Sequence, residues 1–298
     1  MSDKIAAGIV LFNPNIKKLS AVIDSLKEQL INICLVDNAS DNISEVEQLY
    51  EDKKSEKIDI SLIKNSKNKG IATALNQIMN NALHNGFDWV LCFDQDSLPP
   101  KKLLSELSKY IGLNNVGIVS PRIMDIHTGR YLYNDGEDKS KESLDYQLID
   151  KCITSGSLVS VKAWSTVGRY DEYLFIDYVD FDFCIRMRKM GYKIVQANKI
   201  VMKHELGNMK VKRLLFKKVA VMNHKAMRKY YMTRNRIYCE YKYYNRFGLR
   251  NLFGIIKTII LVIFYEEDKY KKIKAIMKGL SDGMKDSKKF RTRKKNEK

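Results

Sequence analysis

Residues 87–100 read FDWVLCFDQDSLPP, and this stretch constrains the fold more than any other. Trp89–Phe93 is a continuous apolar run of strand length that stops abruptly at Asp94-Gln95-Asp96. Such a run suits a strand buried on both faces, as in a parallel sheet covered by helices. In an open α/β sheet ligands gather beyond the carboxyl ends of the strands, so two carboxylates there, followed by Pro99-Pro100, are aimed into a cleft. Their alternate spacing fits one divalent ion. Hard oxygen ligands favour Mg²⁺ or Mn²⁺, ions that usually also hold substrate phosphates. An acidic turn after a strand is the competing reading of these three residues taken alone.

The rest of the chain repeats the same rhythm. Ile5–Phe12 reads as a buried strand broken by Asn13-Pro14, and Ile16, Leu19, Val22, Ile23, Leu26 and Leu30 recur at helical spacing. Ile33–Val36 is the next strand and ends at Asp37-Asn38-Ala39-Ser40, which puts Asp37 on the same sheet edge as Asp94. An acid there can accept from a base or ribose, and a helix cap by Asn38 or Ser40 is the alternative. After a strand at Ile58–Ile63, Gly70 opens a helix beside Lys67 and Lys69, where free amides and basic side chains favour an anion such as a diphosphate. A helix around Lys101–Ile111, a strand at Val116–Ser120 and a polar excursion over residues 125–147 follow. Ile149–Val161 returns as strand or extended chain through Thr154-Ser155-Gly156-Ser157, where Gly156 permits close approach of a sugar or of another backbone. Asp177, Asp180 and Asp182 then precede the apolar residues of a helix that Gly191 stops. Three aspartates exceed what capping needs, and a carboxylate fixed at a helix start suits a general base. Beyond the strand Tyr192–Ala197 lies His204, a candidate third metal ligand or a structural histidine. Alternation of strand and helix implies α/β class, with a mostly parallel central sheet and flanking helices.

Charge divides the chain. Its net +18 resides in residues 201–298, which hold 28 basic and 8 acidic side chains, whereas residues 1–200 are close to neutral. Five scattered cysteines without a C-x-x-C spacing read as reduced core residues of a cytoplasmic protein. The start, MSDKIAAGIVLFNP, lacks the order of a signal peptide. Leu252–Tyr265, the best apolar segment, is short of the roughly 20 residues a bilayer span needs, so no transmembrane helix is expected.

Taken together, VLFN (Val10–Asn13), VDNAS (Val36–Ser40), NKGIATALN (Asn68–Asn76), DQDS (Asp94–Ser97), TSGS (Thr154–Ser157), FIDYVDFDFCIR (Phe175–Arg186), HELG (His204–Gly207) and YYMTRN (Tyr230–Asn235) resemble a family. In this order they are similar to the inverting family 2 glycosyltransferases of GT-A fold, within them the bacterial rhamnosyltransferase-like branch. The resemblance implies that Asn13, Asp37, Lys69, Gly70, Asn76, Asp94 and Gly156 contact the nucleotide sugar, and that Asp96 and His204 hold Mn²⁺ or Mg²⁺. It makes Asp180 the general base. Many relatives carry two adjacent acids there, whereas Val179 precedes Asp180, so Asp177 stays a rival. The donor implied is dTDP-L-rhamnose, with a UDP-hexose as alternative, and the acceptor a lipid-linked or growing cell-surface saccharide.

Three segments are expected: a catalytic domain over 1–208, a helical, basic and aromatic extension over 209–286, and a disordered basic tail over 287–298. Basic and aromatic side chains with the apolar Phe247–Tyr265 favour an anionic membrane surface on the inner face of the cell membrane. Packing on the catalytic domain or in a homodimer is the alternative, and nucleic acid is not the expected partner. A non-catalytic binding protein with a basic tail is the competing function.

Overall fold

The computed structural model describes residues 4–29, 32–132, 144–204, 210–214, 217–288 and 290. Two compact units emerge: Met1–Phe175 with Val179–Glu205, and Ile176–Tyr178 with Leu206–Lys298.

The first unit is an α/β domain. Its strands are β1 (Ile5–Leu11), β2 (Asn32–Asp37), β3 (Asp59–Lys64), β4 (Trp89–Asp94), β5 (Val116–Asp125), β6 (Tyr146–Leu148), β7 (Ser157–Ser160) and β8 (Lys193–His204). They form one eight-stranded sheet in the order β3-β2-β1-β4-β7-β5-β8-β6. Pairs β1/β2, β2/β3, β1/β4 and β5/β8 are parallel. Strand β7 runs antiparallel between β4 and β5, and β6 antiparallel on β8, so the sheet is mostly parallel, as expected.

Helices α1 (Ile16–Lys27), α2 (Ile43–Ser55), α3 (Ile71–His84), α4 (Leu103–Ser108), α5 (Val161–Thr166) and α6 (Val179–Lys189) complete the unit. Helix α1 shows why they form. The Asn15 side chain accepts from the Lys18 amide at 3.1 Å, supplying an N-cap, and Leu19, Val22, Ile23 and Leu26 then fall on one face that the core buries. Burial of each such side chain contributes about 1.5–3 kcal/mol. They meet Ile9, Leu11, Leu35, Leu91 and Phe93 from the sheet.

Several boundaries differ from the sequence reading. Strand β5 continues to Asp125, because its ladder with β8 resumes past an irregularity, from Arg122↔Val201 to Asp125↔His204. That pairing makes His204 the last residue of a twelve-residue strand. The extended chain expected from Ile149 becomes strand only at Ser157, after the turn at residues 154–156. Within the excursion expected at 125–147, residues 133–143 lie outside the described residues.

In the second unit, residues 210–221 depart from the helical extension expected there. Lys210–Leu214 (β9) and Lys217–Val221 (β10) pair antiparallel, with Lys210 opposite Val221 and Leu214 opposite Lys217. Helices follow at Ala226–Tyr244 (α7), Leu249–Tyr265 (α8) and Lys269–Asp286 (α9). Helix α9 approaches α7 closely, since a Cβ at Gly279 would lie 2.5 Å from the Tyr230 carbonyl oxygen. Ser287, expected in the disordered tail, is buried at the end of α9; residues 291–298 lie outside the described residues.

A buried ion cluster locks these helices. Glu266 accepts from Lys229 at 2.6 Å and from Lys272 at 3.1 Å, all three being buried, and Lys272 also donates to the Asn223 side chain. Removing the single carboxylate strands two buried ammonium groups. Glu266→Ala should therefore destabilise this unit by about 3–5 kcal/mol, read as a lower urea midpoint by far-UV circular dichroism. A shift below about 1 kcal/mol would show the lysines to be well solvated.

Candidate active site

The site is built where β1, β2 and β4 end. Register places Asp37 beside Leu11, and Val10 beside Asp94, so the two acids flank the end of β1. Two strand spacings separate them by about 10 Å.

The turns beyond these strands are tied together by side chains. Gln95, between Asp94 and Asp96 in the sequence, accepts from the Phe12 amide at 2.8 Å and donates to the Phe12 carbonyl at 3.2 Å. Asn13, in left-handed backbone at φ 49°, donates through its side chain to Asp41 at 3.1 Å and accepts the Asp41 amide at 2.6 Å. Asp37 is 1% exposed, and its carboxylate accepts from both the amide and the hydroxyl of Ser40. Asn38 bridges to the next loop, donating to the Gly70 carbonyl at 3.1 Å and accepting the Lys69 amide at 3.0 Å. Sequence reasoning did not assign Asn38 or Gln95 to the site. Their signal was no more than an amide beside a strand-end acid, and their side-chain partners lie 27 to 83 residues away.

At the start of α3, the Ile71 amide donates to the Phe175 carbonyl at 2.6 Å. That amide, expected to face an anion, is thus occupied from within, while the Lys67 and Lys69 side chains are exposed. Gly70 sits at φ 86°, and a Cβ there would lie 2.7 Å from the Phe175 Cα. Glycine is required by this contact as well as by its backbone. Asn76, expected on the nucleotide sugar, is instead a packing residue. Its amide donates to the Tyr170 carbonyl and Glu172 and accepts from Trp164 and the Tyr170 amide, all within 2.9–3.0 Å. Its hydrogen-bonding capacity is fully used inside the fold.

The TSGS segment joins two of the predicted acids. Ser155 Oγ accepts the Asp94 amide at 3.2 Å, and the adjacent Thr154 hydroxyl donates to the Asp180 carboxylate. Gly156, at φ 78°, donates its amide to the Cys92 carbonyl, and a Cβ there would lie 2.5 Å from the Met202 sulfur. Its close neighbour is therefore a methionine side chain. Asp180 lines a narrow recess with Cys152, Thr154, Tyr170 and Cys184. Burial, and after it the charges of Asp180 and Asp94, push the Cys92 thiol up to about 12, which shows both acids acting on the end of one strand.

Asp182, third of the cluster, is fully buried and accepts from Arg186 Nε at 2.8 Å, a contact within α6. Asp177 is held differently. Arg228 of α7 donates to both its oxygens at 2.9–3.3 Å, and Asn235, 0% exposed, donates to the carbonyls of Ile176 and Asp177. Phe175, Asp177 and Tyr178 all have positive φ, between 61° and 66°, a strained backbone that needs such contacts to persist.

Asp96 is exposed in the turn after β4, and the next residue, Ser97, is buried with its hydroxyl 2.9 Å from His204 Nδ1. This bond brings the end of β8 to the loop after β4. An imidazole anchored through one ring nitrogen is oriented for ligation through the other. Among the described residues no group of three or more His, Cys, Asp or Glu gathers as a ready metal cage. One carboxylate and one imidazole nevertheless match the borderline ligand preference of Mn²⁺, and a site of this kind completes its shell with substrate phosphates and water.

Comparison with known proteins follows the same lines. The model of the family described as "Glycosyl transferase family 2" matches residues 7–169. The dTDP-rhamnosyl transferase RfbF of Shigella flexneri is 30% identical over 255 residues, covering 79% of either chain. Among solved structures, GalNAc-T7 with UDP, GalNAc and Mn²⁺ superposes at a TM-score of 0.61 and 15% identity, over 80% of this chain and 49% of that one, so this chain spans about half the neighbour's length. The mannosyltransferase PcManGT of Pyrobaculum calidifontis, in complex with GDP-Man and Mn²⁺, superposes at 0.54 and 13% identity over 95% of this chain and 74% of that one. At such identities these two likenesses establish the GT-A fold.

Proposed function

The chain belongs to glycosyl transferase family 2, and from that premise we propose that it moves L-rhamnose from dTDP-L-rhamnose, with inversion, onto a lipid-linked or growing cell-surface saccharide. The observation that carries the donor is the 30% identity to a dTDP-rhamnosyl transferase across 79% of the chain.

In this reading the edge formed by Asn13, Asp37 and Asp94 receives the nucleotide, with Lys69 beside the diphosphate. The buried bonds of Asp37 to Ser40, and of Asn38 to the Lys69 loop, keep that edge rigid before the donor arrives. Asp96 and His204 would hold Mn²⁺ or Mg²⁺, which when bound stabilises the negative charge growing on the leaving diphosphate. Asp180 takes the proton of the acceptor hydroxyl as that oxygen attacks the anomeric carbon from the face opposite the departing diphosphate. Configuration therefore inverts. Thr154, donating to Asp180, holds the carboxylate in one orientation toward the acceptor hydroxyl. Asp177, already engaged by Arg228, serves to hold the segment that leads into α6.

The test is a panel of dTDP-L-rhamnose, UDP-glucose, UDP-N-acetylglucosamine and GDP-mannose, each incubated with the full chain and Mn²⁺ and followed by release of nucleoside diphosphate. Turnover should be at least about tenfold faster with dTDP-L-rhamnose than with any other donor. Preference for a UDP-hexose would replace the donor while keeping the chemistry. No binding of any nucleotide sugar, with or without Mn²⁺, would return the chain to the non-catalytic reading. Inversion is checked on the product by the anomeric coupling in its NMR spectrum.

A further inference from the structure

Helix α8 carries an apolar face that the described residues leave largely exposed. At about 100° per residue, Leu249, Leu252, Phe253, Ile256, Ile263 and Phe264 fall within an arc of about 120°. All six are exposed, the two phenylalanines at 65% each. The opposite side of the helix is its packed side, where Ile255 and Val262 are buried with Ile237 and Tyr241 of α7 and Ile276 of α9. The apolar arc is thus a second face, unexplained by the packing of this unit.

Charge borders that face. Arg250 and Lys257, both exposed, project about 80–100° from Leu249, along one margin of the arc. Exposed Lys269, Lys271 and Lys274 follow in α9, and residues 246–288 hold ten basic against five acidic side chains. Apolar side chains rimmed by lysine and arginine match the boundary between acyl chains and anionic headgroups.

We propose that α8 lies in the plane of an anionic bilayer, with its phenylalanines, leucines and isoleucines below the headgroups and Arg250, Lys257 and the α9 lysines at the phosphates. A crossing orientation does not fit, since no helix among the described residues is long and apolar enough to cross a membrane. A second copy of the chain fits poorly too. A helix of about 5 Å radius and 25 Å length offers about 270 Å² over this arc, against about 800 Å² per partner in a stable interface. Two such faces would also bring their basic margins together. The proposal does not depend on which sugar is transferred or to what acceptor.

The experiment is flotation of the full chain with phosphatidylcholine vesicles, alone or containing about one-third phosphatidylglycerol, at low and high NaCl. Wild type should float with the anionic vesicles at low salt, with binding to neutral vesicles, or at high salt, weaker by about tenfold. Phe253→Ser with Phe264→Ser, and separately Arg250→Gln with Lys257→Gln, should each lower the bound fraction about tenfold or more. Both pairs replace exposed side chains, so the thermal unfolding midpoint should stay at the wild-type value, which separates lost binding from lost folding. Four results would overturn the proposal: no flotation of wild type, equal flotation of the phenylalanine variant, retention on RNA without flotation, or a lipid-free dimer in gel filtration that the phenylalanine variant converts to monomer. The last would assign the arc to a second copy.

Discussion

Asp180→Asn should cut sugar transfer by about 10²–10⁴ while leaving the dissociation constant for the nucleotide sugar within about twofold. The substitution keeps the size of the side chain and its ability to accept from Thr154, but an amide cannot take the proton of an acceptor hydroxyl. The loss therefore appears in kcat, with donor KM nearly unchanged. Asp177→Asn should do less to kcat, because that side chain is committed to Arg228, and what it loses should show as a lower unfolding midpoint. Single-turnover kinetics and a donor titration on both variants decide the matter. An inactive Asp177→Asn beside a nearly normal Asp180→Asn would move the base, and loss of donor binding in Asp180→Asn would make Asp180 a residue of the donor site.

Asp96→Ala should abolish transfer and, in the same protein, the enhancement of nucleotide binding by Mn²⁺. Asp96 is exposed in the turn that follows β4, so its removal leaves the core intact and the unfolding midpoint unchanged. A binding site that keeps one imidazole and the substrate phosphates loses most of its charge complementarity when its carboxylate goes. His204→Ala should be milder, about tenfold in Mn²⁺ affinity, and Ser97→Ala milder still, since Ser97 acts by holding the ring. Calorimetric titration of Mn²⁺ in the presence of dTDP measures all three. Undiminished metal-dependent binding by Asp96→Ala would remove the aspartate from the metal site, and a silent His204→Ala would make the histidine a structural partner of Ser97.

Local pattern was enough for the main strands and helices of the first unit because each leaves a periodic burial pattern in its own residues. The apolar run Trp89–Phe93 and the 3.6-residue spacing of Leu19, Val22, Ile23 and Leu26 are burial patterns that read the same in sequence and in structure. The edge carrying Asp37 and Asp94 was legible for the same reason, since consecutive parallel strands end on the same side. Residues 210–221 form a hairpin where a helical extension was expected. Their basic side chains were read for charge, and no alternation in KVKRL or KKVAV marks the pairing of the two strands.

What the amino-acid sequence determined by itself is therefore the α/β class, the alternation of the main strands and helices of the first unit, the acids at the strand ends and the basic, amphipathic C-terminal helices. Tertiary structure alone decided how those residues are used: that Thr154 meets Asp180, that Ser97 meets His204 across 107 positions, that Asn76 is consumed by Trp164 and Tyr170, and that Asp177 is held by Arg228. The physical reason lies in the range of the interactions. The burial pattern of a strand or helix is written in residues within one turn or one pleat, but a side-chain hydrogen bond needs two groups within about 3 Å. Only the packed sheet brings together groups so distant in the chain.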